Sequence, residues 1–142
     1  MTSYVSIPQY SNTIDQRYRL IAKKCKSCEI INFPPRQTCL ECGSADFQNV
    51  KLSGRGRIYT FTIIGRGGAP TEFDDLQNMT GEYAVAIIEL EEGPKVVAQL
   101  TDCHSNPNEI KIGMEVKAVI RRLYEQERII RYGYKFKPIA DG

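Results

Sequence analysis

The chain of 142 residues has no tryptophan and only one histidine, His104. A single imidazole rules out a His-Glu-x-x-His metal site, and neither a Gly-x-Ser-x-Gly elbow nor a P-loop occurs anywhere. Gly65-Arg66-Gly67-Gly68 is rich in glycine, but it lacks dinucleotide-binding spacing and opens no helix, so it reads as a flexible loop. No apolar run approaches the ~20 residues a membrane-spanning helix needs. Residues 1–8 carry neither a basic start nor an apolar stretch, so the expected compartment is the cytoplasm. Internal repeats and low-complexity segments are also missing. Net charge is only +2 and the isoelectric point is near 8.3, short of the strongly basic value typical of a nucleic-acid domain.

What is present begins with sulfur. Cys25-Lys26-Ser27-Cys28 and Cys39-Leu40-Glu41-Cys42 are two Cys-x-x-Cys pairs separated by ten residues. Two such pairs are the usual way to aim four thiolates at one tetrahedral zinc. Four sulfurs fill that ion completely, so the expected Zn2+ is structural, with no position left for water or substrate. Iron in the same cage, or two disulfides, are the alternatives. Gly43 follows the second pair, where a positive φ lets backbone N–H groups turn toward sulfur. Glu29 follows the first, so that half is expected to lack this help. A fifth thiol, Cys103, adjoins His104, but adjacent residues on an extended backbone point apart, and no third orienting residue is identifiable. No catalytic residue is assigned.

The chain is otherwise read as mainly β with an N-terminal helix. Asn12 or Thr13 can cap a helix running through Ile14, Arg17, Tyr18, Leu20 and Ile21 to Lys24, with Asp15 at its positive start and Lys23 and Lys24 at its negative end. Between the cysteine pairs, Phe33-Pro34-Pro35-Arg36 forms a stiff loop, either packing Phe33 on the metal module or meeting a partner or anion through Arg36. Strands follow at residues 57–65, 83–90, 95–101, 113–123 and 128–136, with Gly54 and Gly56 announcing a bulge or bend at the first. Residues 65–81 read as a long polar loop, functional or mobile, and residues 102–109 as a connection able to hold a helical turn. Five strands with a non-strand connection between the third and fourth fit an OB-fold barrel, with an open β-sandwich as the competing architecture. The expected division is a helical segment at 1–24, a zinc ribbon at 25–46 and the barrel at 47–142.

Charge is unevenly placed. Ten Lys or Arg face three acids between residues 17 and 66, seven acids and no base fall between 72 and 92, and eight bases face three acids between 111 and 137. Such blocks suit anionic ligands or oppositely charged partners, although ordinary solvated faces look the same. Oligonucleotide binding on such a barrel needs aromatic platforms on its second and third strands. Those strands hold one aromatic, Tyr83, at their edge.

Several segments, in order, resemble one family: Gln16-Arg17-Tyr18-Arg19-Leu20, the two cysteine pairs, Phe33-Pro34-Pro35-Arg36, Ser53-Gly54-Arg55-Gly56, Tyr59-Thr60-Phe61-Thr62, Glu89-Leu90-Glu91-Glu92-Gly93 and Ile112-Gly113-Met114. It is the acyl-CoA-associated zinc-ribbon plus OB-fold family known as domain of unknown function thirty-five. The resemblance implies N-terminal helices, a rubredoxin-like zinc ribbon and a C-terminal OB domain. It also implies an accessory subunit beside a thiolase-like enzyme and, in archaea, hydroxymethylglutaryl-CoA (HMG-CoA) synthase, holding or channelling acyl-CoA without catalysing its reaction. On that reading Phe33, Pro34, Pro35, Arg36, Arg55 and Gly56 are the candidate ligand or partner contacts. A nucleic-acid-binding module is the alternative. Glu29 departs from the glycine usual in the family, and Leu40 and Glu41 stand where proline is common.

Overall fold

The computed structural model describes residues 7–126 and 128–140; parts of the expected 1–24 and 47–142 segments, at 1–6, 127 and 141–142, lie outside it. The chain opens with α1 (Ile7–Asn12) and a wide π-type turn (Asp15–Arg19), then reverses at Leu20, which takes a left-handed conformation with φ 53°. This corrects the helix expected up to Lys24. Thr13 caps nothing; its hydroxyl donates back to the Gln9 carbonyl at 2.9 Å. The residues read as its last turn are β1 (Ile21–Cys25), because pairing with β3 (Phe47–Lys51) over the whole register from Ile21↔Lys51 to Cys25↔Phe47 outweighs a weak helical period. Lys23 then lies over the Phe47 ring instead of at a helix end. With β2 (Ile31–Asn32) on the other side of β1, this makes a three-stranded antiparallel sheet. That sheet draws on residues outside the 25–46 segment expected from the cysteines.

The second sheet is the barrel. Its strands are β4 (Arg55–Ile64), β5 (Tyr83–Leu90), β6 (Lys95–Gln99), β7 (Glu115–Gln126) and β8 (Ile129–Pro138), in the order β6-β5-β4-β7-β8. A parallel bridge between Leu100 and Phe136, with the Thr101 N–H on the Phe136 carbonyl at 2.8 Å, joins the two outer strands. Sheet order and closure are those of an OB-fold, not an open sandwich. The expected irregularity in the first barrel strand is present: register shifts between Ile58 and Thr60, leaving Tyr59 outside under the Lys95 ammonium at 4.1 Å. Gly56 is needed just before it, since a Cβ there would sit 2.5 Å from the Glu89 carbonyl oxygen. Ile58, Ile88, Ile110, Val116 and Phe136 fill the interior, with Phe33 reaching in from the ribbon.

β4 pairs with β7 only between Arg55–Arg57 and Glu115–Lys117, so the two strands diverge beyond that point. The stretch 65–81, expected as a polar loop, is folded here into a 3-10 turn (Thr71–Phe73) and α2 (Asp74–Thr80). Phe73 packs edge-on to Tyr124 at 5.3 Å and against Tyr83 at 6.1 Å. Buried Gln77 anchors the glycine-rich lead-in by bonding both the Gly65 carbonyl (2.6 Å) and the Gly67 N–H (3.0 Å). Two aromatic contacts and one amide are enough to organise a segment whose composition signals a loop. Among the described residues, no helix is long and apolar enough to cross a membrane.

Candidate metal centre

β1 delivers Cys25 into the interior at 0% exposure, and the chain turns at once so that Cys28 follows on the same side. The Cys25 N–H bonds to the Ile30 carbonyl (2.9 Å) and the Glu29 N–H returns to the Cys25 carbonyl (2.9 Å). The second pair repeats the pattern: Cys39 N–H to the Ser44 carbonyl at 2.8 Å, Gly43 N–H to the Cys39 carbonyl at 3.0 Å. Each turn aims its own N–H groups at sulfur. Those of Ser27 and Cys28 face Cys25, that of Ile30 faces Cys28, those of Glu41 and Cys42 face Cys39, and that of Ser44 faces Cys42. The first half therefore does not lack the help expected only of the second. Glu29 itself adopts φ +63°, as Gly43 does at +72°, so a side-chain-bearing residue stands where glycine would be unstrained.

The four Sγ atoms lie within 4.8 Å of one another, with Cys25–Cys42 and Cys28–Cys39 each at 3.5 Å. A tetrahedron with ~2.3 Å metal–sulfur bonds has sulfurs about 3.8 Å apart. A disulfide would need ~2.05 Å, and all five cysteines are free thiols. The four thiols are electrostatically unequal. The Cys42 and Glu41 N–H groups hold Cys39 down at about 6 despite its burial. The Ile30 N–H favours the Cys28 thiolate too, but burial and the neighbouring sulfurs outweigh it and push Cys28 up to about 12. Four sulfurs so close cannot all shed protons unless a metal offsets their charge. Asn32, which no sequence pattern singled out, is buried between the halves; its amide donates to Cys39 Sγ at 3.6 Å and accepts from the Leu40 N–H at 3.3 Å.

The other candidates are dispersed. Phe33 is buried in the core and meets Tyr134 at 6.2 Å, so the outward part of its loop is Pro34 and Arg36, with Pro35 half-buried. Arg55 is exposed and lies 3.7 Å from Glu91, while Gly56 is buried against β5. Cys103 is half-buried, and burial, then Asp102 and Glu109, raise its thiol above the ordinary value; His104 beside it is exposed. Sequence reasoning missed one surface. Ile130 and Tyr132 of β8 and Ile120 of β7 are 44–45% exposed. Alternation, with the Ile120↔Tyr134 register, puts them on the face that carries Tyr134 and, beyond it, the Phe33 loop. Apolar residues in a hairpin normally signal core, which is why sequence alone concealed them.

A sulfur-saturated zinc ribbon leading into an OB barrel defines a class of structural-zinc proteins. Residues 14–48 match the family model described as "ChsH2, rubredoxin-like zinc ribbon domain", and residues 49–121 match "ChsH2, C-terminal OB-fold domain". The chain is 43% identical over 131 residues, 90% of its length and 87% of the relative's, to the DUF35 domain-containing scaffold protein of Methanocaldococcus jannaschii. It is 32% identical over 120 residues, 82% of its length and 73% of the relative's, to benzoylsuccinyl-CoA thiolase subunit BbsA of Geobacter metallireducens. A solved chain of an Ltp2-ChsH2(DUF35) aldolase superposes with a TM-score of 0.67 at 25% identity, covering 96% of this chain and 98% of that one. The protein belongs to the DUF35 family, and the cysteine cluster is its structural zinc site.

Proposed function

We propose that this protein is a non-catalytic partner subunit of a thiolase-type enzyme that holds acyl-CoA as it passes between active sites. The observation that carries the reading is its similarity along nearly the whole chain to a named scaffold protein and to the DUF35 chain of an aldolase assembly. The site chemistry supports it. The zinc is enclosed by sulfur, and the Cys103 thiol is disfavoured as an anion, so the groups available suit presentation rather than reaction. The docking surface on this reading is the face made by Ile120, Ile130 and Tyr132 together with the zinc ribbon and the N-terminal helix. Pro34, Pro35 and Arg36 border the acyl-CoA, Arg36 offering a guanidinium to phosphate, with Arg55 and Gly56 at greater remove. HMG-CoA synthase is a second candidate partner, and the cytoplasm the proposed compartment. The oligonucleotide alternative has less support, since Tyr83, the aromatic of β5 and β6, is buried and cannot stack a base.

A tagged copy purified from native extract at low salt should bring down a thiolase or synthase; recovery of the chain alone counts against the proposal. Tyr132→Ala should abolish capture, weakening association by about 2 kcal/mol or more as truncated interface aromatics do, with zinc content unchanged. Capture undiminished in that variant would move the interface elsewhere.

A further inference from the structure

Leu100 and Phe136 meet in parallel at the barrel seam with both side chains in the core. Alternation sends Gln99 and Thr101 on one strand, and Lys135 and Lys137 on the other, to the opposite side. That side is roofed. Leu76 of α2, Tyr83, His104 and Ser105 join Gln99 and Lys135 around a cavity of ≈ 300 Å³. Lys135 is only 7% exposed, and among the described residues its ammonium has no carboxylate within ion-pair distance and no hydrogen-bond partner. Two acids also line the cavity: Asp102, which takes Arg121 at 3.0 Å and Lys137 at 3.8 Å, and Glu82, which is exposed and not within ion-pair distance of Lys135. Burial, then the Arg121 charge, depresses Lys135 below the ordinary lysine value. Across the seam, the buried Oε1 of Gln99 receives no donor.

An unsatisfied buried carbonyl is costly, and opposite it, across the seam, Lys135 turns an unpaired ammonium into the cavity. A single guest can answer both if it has a carboxylate for the ammonium and a hydroxyl for the amide oxygen. We propose that this cavity binds a small hydroxy acid, its carboxylate on Lys135 and its hydroxyl donating to Gln99. The cavity lies at the small end of the range for ligand pockets. Leu76 and Tyr83 supply an apolar wall for a short carbon chain, and Ser105 and His104 supply further donors at the mouth.

The test is calorimetric titration of the zinc-loaded full chain with lactate, acetate and inorganic phosphate at neutral pH. Lactate should bind saturably, and acetate about tenfold more weakly for want of the hydroxyl. Lys135→Met should weaken lactate binding by at least about tenfold, the loss expected when a hydrogen bond to a charged group is removed. Gln99→Leu should weaken lactate toward the acetate value and leave acetate unchanged. Thermal unfolding verifies that the variants are folded: Lys135→Met should melt no lower than the parent, and lactate should raise the midpoint of the parent but not of the variant. An absence of saturable lactate binding overturns the proposal, as does equal binding by Lys135→Met. Phosphate or acetate binding as tightly as lactate overturns the hydroxy-acid assignment.

Discussion

The two halves of the zinc site are the same turn written twice, with one difference. Cys25 and Cys39 are the inner sulfurs, 0% and 4% exposed, each clasped by two N–H groups of its own turn; Cys28 and Cys42 are the outer ones. Position five of each turn is left-handed. In the second it is Gly43, with nothing within 4 Å of where a Cβ would be. In the first it is Glu29, mostly exposed and only loosely paired to Lys24 at 3.7 Å. The ladder bonds are equal in length to within 0.1 Å. The shared turn of the cysteine pair, not the local preference of residue 29, therefore sets this backbone, although a non-glycine residue at positive φ loses ~1–2 kcal/mol relative to glycine.

Removing the metal is the hardest blow to that equivalence. Cys25→Ser and Cys39→Ser should each abolish stoichiometric zinc, because structural zinc supplies on the order of 10 kcal/mol in small metal modules. Metal analysis per chain and far-UV dichroism would check this, and the losses should match if the turns are equivalent. The next effect falls on a residue that joins the turns. Asn32 reaches the sulfur of the second turn, through Cys39 Sγ and the Leu40 N–H, and the Ile30 carbonyl of the first at 3.4 Å, so Asn32→Ala should lower zinc affinity by roughly 10–100-fold, the usual consequence of losing a ligand-orienting hydrogen bond. Competition with a chromophoric chelator reads this directly. An unchanged affinity would mean the backbone N–H groups alone orient the sulfurs.

How much of this was legible in the chain depends on distance along it. The cysteine doublets are local, and so are the alternating runs that became β4 to β8; both were read from neighbours a few residues apart. β1 was not, because its partner β3 begins 22 residues after Cys25, and the stretch through Ile14 and Ile21 carries a helix-like period of its own. Asn32 and Lys135 were invisible for the same reason. The first acquires its meaning from a sulfur seven residues away across a turn, and the second from a parallel seam with Leu100 that no periodicity announces. The left-handed backbone at Glu29 was legible only in the wrong direction: propensity predicted a weaker turn, and the fourfold sulfur cage overrode it.

The smallest effects test the difference itself, in opposite directions. Gly43→Ala meets no steric contact, so its whole cost is conformational, and it should destabilise the zinc-loaded protein by about 1 kcal/mol in denaturant titration. Glu29→Gly should do the reverse. Relief of ~1–2 kcal/mol of left-handed strain is offset by ~0.4–1 kcal/mol of added unfolded-chain entropy, leaving a net gain of about 0.5–1 kcal/mol. The Lys24 contact does not alter that sum, because an exposed pair at such a distance contributes little. Both substitutions should leave the zinc stoichiometry untouched. If Glu29→Gly were instead destabilising, the Glu29 side chain would be making a contact worth more than its strain, and the two turns would differ in function as well as in residue five.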